Sequence, residues 1–240
     1  MRESARTRPT RPIPRETVEV DGIRYERYVV RTHLVHVKEP LLDVLRKYVT
    51  PVIKPGDFIA LSEKLVAISQ GRVIHRSLVH PGLLARLIVK GVTRLKDDVG
   101  FSDAAKMQVA IYRAGWWRML GAATVGGVTR VFGRRGDFYR IAGHRVSEID
   151  GFNPHTIKPF NEFAMLGPED PPRDAQEVED STGWPTVIMD ANNVNVEILG
   201  MSRSVPVTRD AARLVLLDNP IGQSDERTPI VLVRPLRGHL

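Results

Sequence analysis

The chain has no cysteine among its 240 residues. That excludes disulfide bridges, zinc–thiolate sites, iron–sulfur clusters and thiol nucleophiles, and with them the small secreted modules that rely on disulfides. Aromatic residues are scarce, at 6%, and they do not interleave with basic residues as a base-stacking surface would require. Long apolar runs are missing too. The most membrane-like stretch, residues 115–133, carries Arg118 and Arg130 and is rich in glycine, whereas a spanning helix needs about 20 mostly apolar residues. Residues 1–16 contain no apolar core of the signal-peptide kind. The expectation is therefore a cytoplasmic protein with neither nucleic acid nor membrane as a partner.

The common nucleotide and hydrolase motifs are also absent. Gly121 and Gly126 have P-loop spacing, but Gly127-Val128 follow where that loop needs lysine and a hydroxyl residue. No G-x-G-x-x-G follows a strand pattern, and neither H-E-x-x-H nor G-x-S-x-G occurs. A nucleotide enzyme with this sequence has to hold phosphate by another device.

What is present begins with charge. The formal net charge is +7, of which the first 16 residues supply +3 from five arginines and two glutamates. The remainder is spread along the chain, as suits an enzyme with anionic, phosphate-bearing substrates. The length is enough to bury a core without staples.

Residues 1–16 read as a disordered basic tail, and residues 17–240 as a single domain with possible subdomains. Residues 17–20 and 23–30 alternate across Asp21-Gly22, a hairpin pattern. Residues 41–48 have helical spacing, ended by Thr50-Pro51. Pro55-Gly56-Asp57 is a turn before a short buried strand, 58–61. Residues 83–89 form a helix, as do those following Asp103, an N-cap, up to Gly115; 118–131 form another. Strands are expected at 138–142, 186–189 and 230–233, and a helix at 208–217. Residues 151–172, with five prolines, read as a loop. Strands and helices mix without regular alternation, so the fold class is α+β or irregular α/β, a mixed sheet with packed helices.

Three segments could carry chemistry. Ser62-Glu63-Lys64 follows the 58–61 strand, so Ser62 would cap a short helix at a strand end. Free N–H groups there suit a phosphate. Lys64 offers a mobile charge and Arg72, eight residues on, a bidentate fork; the other reading is a solvated helix turn. Asp150-Gly151-Phe152-Asn153 pairs a carboxylate with an amide oxygen, donors for a hard cation such as Mg²⁺, or else forms an Asx-type turn. In the third, an apolar strand ends in Asp190, followed by Asn192, Asn193 and Asn195, where α/β sheets commonly place ligands. The seven histidines show no metal-ligand spacing beyond His33 and His36, which on a strand would face opposite sides. Trp116 and Trp117 are expected in helix packing.

Pro55-Gly56-Asp57, a short apolar strand, Ser62-Glu63-Lys64-Leu65-Val66 and Gln70-Gly71-Arg72 together resemble the coenzyme F-420-0:L-glutamate ligases, a gamma-glutamyl ligase family. Asp150-x-x-Asn153 is similar to that family's Asp-x-Ser-Asn motif, and Asp190 to the aspartate of its Ser-Asp-Thr motif. The order and rough spacing agree across about residues 28–235. The resemblance implies a homodimeric enzyme that uses GTP and Mg²⁺ or Mn²⁺ to add L-glutamate to a side-chain carboxylate of a deazaflavin precursor. It implies metal ligation by Asp150, Asn153 and Asp190, nucleotide binding by Ser62, Lys64, Asn153 and Asn192, and catalytic charge neutralisation by Lys64 and Arg72. The chain departs from the family at Ala191-Asn192-Asn193, where a threonine and a later arginine are lost. Two alternatives therefore stay open: the same mechanism on another carboxylate and amine, or a ligand-binding homologue without catalysis.

Overall fold

The computed structural model describes residues 11–91, 103–131, 140–141, 149–152, 156–191, 195–222 and 226–236. The chain divides into two units, Met1–Gly71 with Pro168–Leu240, and the continuous stretch Arg72–Gly167.

The first unit opens with a hairpin, β1 (Ile13–Val20) and β2 (Ile23–Val30). Its two-residue turn has Asp21 at φ 52 and Gly22 at φ 75, the left-handed pair that matches strand twist and favours Asp-Gly. The strand starts at Ile13, inside the stretch expected to be a disordered tail. Arg15 holds it there, donating to the Pro220 carbonyl at 2.9 Å and to Glu226 at 2.6 Å. Then come α1 (Leu41–Tyr48), β3 (Phe58–Ser62) and α2 (Glu63–Ser69). After the second unit follow α6 (Pro171–Thr182), β7 (Thr186–Ala191), β8 (Val196–Met201), α7 (Arg209–Val215) and β9 (Ile230–Leu236).

The six strands lie in the order β1-β2-β9-β3-β7-β8. β9 is antiparallel to both β2 and β3, whereas β3 and β7 are parallel. β2, β3 and β7 therefore run in one direction. Every residue of β3 is buried, as a strand covered on both faces requires. Phe58, Ala60, Val187, Met189, Val231 and Val233 pack with Ala212 and Val215 of α7 and with Leu216 just after it. Ile59, Leu61, Ile188 and Leu232, of opposite parity, are buried as well; α2 contacts β3 and β7, and α6 contacts β7 and β8. Each such side chain contributes about 1.5–3 kcal/mol on burial.

The second unit contains β4 (Val73–His75), α3 (Leu83–Gly91), α4 (Ala104–Ala114), α5 (Trp116–Val131), β5 (Asp150–Gly151) and β6 (Phe163–Met165). β6 is central in a three-stranded antiparallel sheet, β4-β6-β5. Met107, Val109, Ala110, Met119, Ala122, Phe152 and Ala164 form its core. Asp103 caps α4, accepting from the Ala105 and Lys106 N–H groups at 2.7 and 3.2 Å. It also takes Arg76 at 2.5 Å.

Three expectations are corrected here. Residues 138, 139 and 142 of the expected strand lie outside the described residues, and the two described ones, Arg140 and Ile141, are helical. The supposed loop 151–172 contains β6 and the start of α6. Trp116 and Trp117 are exposed and stack on each other at 3.6 Å instead of filling a core. Gly115, the C-cap of α4, is followed directly by these two residues, so they occupy the first turn of α5.

Candidate functional site

Strand direction decides which residues meet. The carboxyl ends of β2, β3 and β7 share one edge of the six-stranded sheet. From that edge leave the segment 31–40, the start of α2, and the segment after Asp190. The chain entering β9 also returns there: the Ser62 N–H donates to the Pro229 carbonyl at 2.9 Å, and the Thr32 N–H to Arg227 at 2.8 Å.

Ser62 pairs in register with Met189. This brings Ser62, Lys64 and Asp190 to adjacent strand ends, with β3 and β7 about 4.8 Å apart. Ser62 is buried, and its Oγ accepts from the Lys64 N–H at 3.3 Å. It is thus the cap the sequence suggests, and that cap occupies one of the helix-start donors. Lys64 and Asp190 are half-buried. Asp190 pairs with Glu197 across the β7–β8 ladder. Asn192 lies outside the described residues.

Arg72 and Asp150 belong to the second unit, at neighbouring ends of its small sheet. Val73 and Asp150 both register with Met165 of the strand between them. Arg72 Nε donates to the Gly167 carbonyl at 2.6 Å, so part of its fork is engaged with backbone. Asp150-Gly151 is strand, not an Asx-type turn. Gly151 has φ 135, and a Cβ there would sit 2.5 Å from Ala164 Cα, so only glycine fits the close approach of β5 to β6. Asn153 lies outside the described residues.

Asp57, in the first motif, is structural. Its buried carboxylate takes Arg234 Nε and Nη2 at 2.7 and 2.8 Å, and the Lys54 N–H at 2.9 Å.

The sequence reading missed one cluster. Residues 31–40 form no strand, so His33 and His36 are not forced to opposite faces. His33 Nε2 is 2.9 Å from Glu39 Oε2, and its Nδ1 is 2.9 Å from the Tyr48 hydroxyl. The His36 N–H donates to Glu39 Oε2 at 2.9 Å, and the Glu39 N–H returns to the His36 carbonyl at 3.0 Å. One ligand atom from each of His33, His36 and Glu39 lies within 4.8 Å of the others. Burial pushes the Glu39 carboxyl up, but the His36 N–H and the His33 ring outweigh it and hold the group below its ordinary range. The available signal was the H-x-x-H-x-x-E spacing, which a strand would split between two faces but an irregular segment does not.

Among the described residues no helix is long and apolar enough to cross a membrane. No known family model matches the chain, and no curated protein matches it.

Proposed function

We propose that this chain is a gamma-glutamyl ligase that uses GTP and Mg²⁺ or Mn²⁺ to join L-glutamate to the side-chain carboxylate of the deazaflavin F-420-0. The observation that carries the reading is the parallel β3–β7 pair, with Ser62 in register with Met189. Two motifs well over a hundred residues apart in sequence, Ser62–Lys64 and Asp190, thereby reach one edge of the sheet. Its further support is the motif order described above.

In this reaction the acceptor carboxylate attacks the γ-phosphorus of GTP, giving an acyl phosphate and GDP. The glutamate amine then attacks the acyl carbon, phosphate leaves, and the amine loses its proton to form the amide. Phosphoryl transfer of this kind depends mostly on positioning and charge neutralisation. Lys64 supplies positive charge beside the phosphates; for Arg72 a charge-neutralising role comes from the resemblance alone. Asp190, a hard oxygen donor at the end of a buried strand, fits a divalent cation. The resemblance alone, through its motifs, assigns Asp150 and Asn153 to the metal and Ser62 and Asn192 to the nucleotide. The metal, when bound, supplies charge neutralisation at the phosphate oxygens. The protein acts as a homodimer in the cytoplasm.

A second reading has one specific observation in its favour. Ala191, in β7 opposite Val196, brings no hydroxyl next to Asp190, which fits a ligase with another acid and amine or a homologue that binds without turnover. Measuring GDP release with Mn²⁺, F-420-0 and L-glutamate separates these. The proposal expects GDP formation that needs both substrates and a glutamylated product. GDP release with a different acid alone supports the second substrate class; no turnover with any acid, despite GTP binding, supports the non-catalytic form.

A further inference from the structure

We infer that His33, His36 and Glu39 form a binding site for a borderline divalent cation of the zinc type, separate from the Mg²⁺ or Mn²⁺ of the ligase reading and independent of it. Two imidazoles and one carboxylate favour zinc, nickel or cobalt over magnesium, which prefers oxygen donors and keeps its waters. Four-coordinate zinc with bonds of about 2.0–2.2 Å spaces its ligand atoms by about 3.4 Å. The three donors already lie within 4.8 Å of one another, and one pair is at 2.9 Å. Small side-chain adjustments bring them to that spacing.

The surroundings are those of a prepared site. A metal-bound histidine usually engages its second ring nitrogen in a hydrogen bond that fixes the ring. His33 has this arrangement, with Nδ1 on the Tyr48 hydroxyl while Nε2 faces Glu39. The Tyr48 ring also stacks on the His33 ring. Glu39 is oriented by the His36 N–H. The segment is anchored at both sides of His36: Val35 is buried, and the Lys38 N–H donates to the Ile68 carbonyl at 2.9 Å. His33 and Glu39 are half-buried and His36 is exposed, so three protein ligands leave a fourth position open to water or to a small anion. The segment leaves β2 at the sheet edge that also carries Ser62 and Asp190. β2 and β3 are two strand spacings apart, about 10 Å.

The test is titration of Zn²⁺ into the metal-free full chain against a competing chelator, with Mg²⁺ in parallel and thermal unfolding followed in each case. The inference expects one tight Zn²⁺ per chain, a raised Tm with Zn²⁺ and none with Mg²⁺. His36→Gln, an exposed change that leaves the fold alone, should weaken Zn²⁺ binding at least tenfold, as should Glu39→Gln. His80→Gln should leave it unchanged. Absence of Zn²⁺ binding by wild type would overturn the inference, as would undiminished binding by His36→Gln and Glu39→Gln, which would mean adventitious binding to other histidines. GTP binding is read separately, so the failure of either proposal is distinguishable from that of the other.

Discussion

Arg27 is the largest fully buried side chain of the described residues and sits at 1% exposure in β2. Its guanidinium donates to the Glu16 carbonyl at 2.7 and 2.9 Å, to the Val215 carbonyl at 3.0 Å, and to Asp218. It ties the hairpin to the end of α7. Arg27→Met removes these donors and leaves buried carbonyls unpaired, so it should destabilise the protein by about 3 kcal/mol, read as a fall in the denaturant midpoint. Gly151 is equally constrained. Gly151→Ala forces a side chain into the Phe163 and Ala164 backbone and should cost about 2 kcal/mol or more, seen as a lower Tm. Neither effect was legible beforehand. An arginine in an alternating strand reads as solvent-facing, and a glycine after aspartate reads as a turn; only the tertiary partner distinguishes the cases.

At the scale of elements, most of the β2–β3 region could be read directly. The 41–48 helix, the Asp21-Gly22 hairpin and the Ser62 cap all have local causes, namely periodicity, turn chemistry and an N-cap hydroxyl. α6 was hidden although its cues are local too: Asp170 caps it, and proline occupies its first turn. Its face is mostly polar, with only Ala175 and Val178 buried, so no apolar stripe announced it. β8 was hidden by the asparagines preceding it. α6 is fastened partly by Glu179, which accepts from the Ser204 hydroxyl at 2.5 Å and the Ser204 N–H at 3.2 Å. Burial pushes this carboxyl up, but the Ser202 and Ser204 hydrogen bonds outweigh it and hold it below its ordinary 4.5. A carboxyl depressed in the folded state adds stability that is complete above its unfolded value and is lost as pH falls through its folded value. Glu179→Gln should therefore lower stability at pH 7 and flatten its decline below pH 4.5, as measured by urea unfolding across that range.

At the scale of the molecule, the sequence implied a mixed α+β architecture, and the six-stranded sheet has it. Strand order was not legible, because β9, the last strand in the chain, inserts between β2 and β3. Pairings of such sequence separation leave no local mark. Another long-range pairing, β3 with β7, brings Ser62, Lys64 and Asp190 to one edge, and the small sheet of the second unit holds Asp150 and, next to Arg72, Val73. The histidine cluster was lost for the converse reason: its spacing was visible, but its meaning depended on residues 31–40 not forming a strand. The claim that the shared strand end holds a metal–nucleotide complex is tested most directly by calorimetric titration of GTP, with and without Mg²⁺ or Mn²⁺. Wild type should bind GTP only with metal, and Asp190→Asn should weaken that binding at least tenfold while keeping the wild-type Tm to within a few degrees. Equal GTP binding by wild type and Asp190→Asn, or no binding by wild type with either metal, would contradict it.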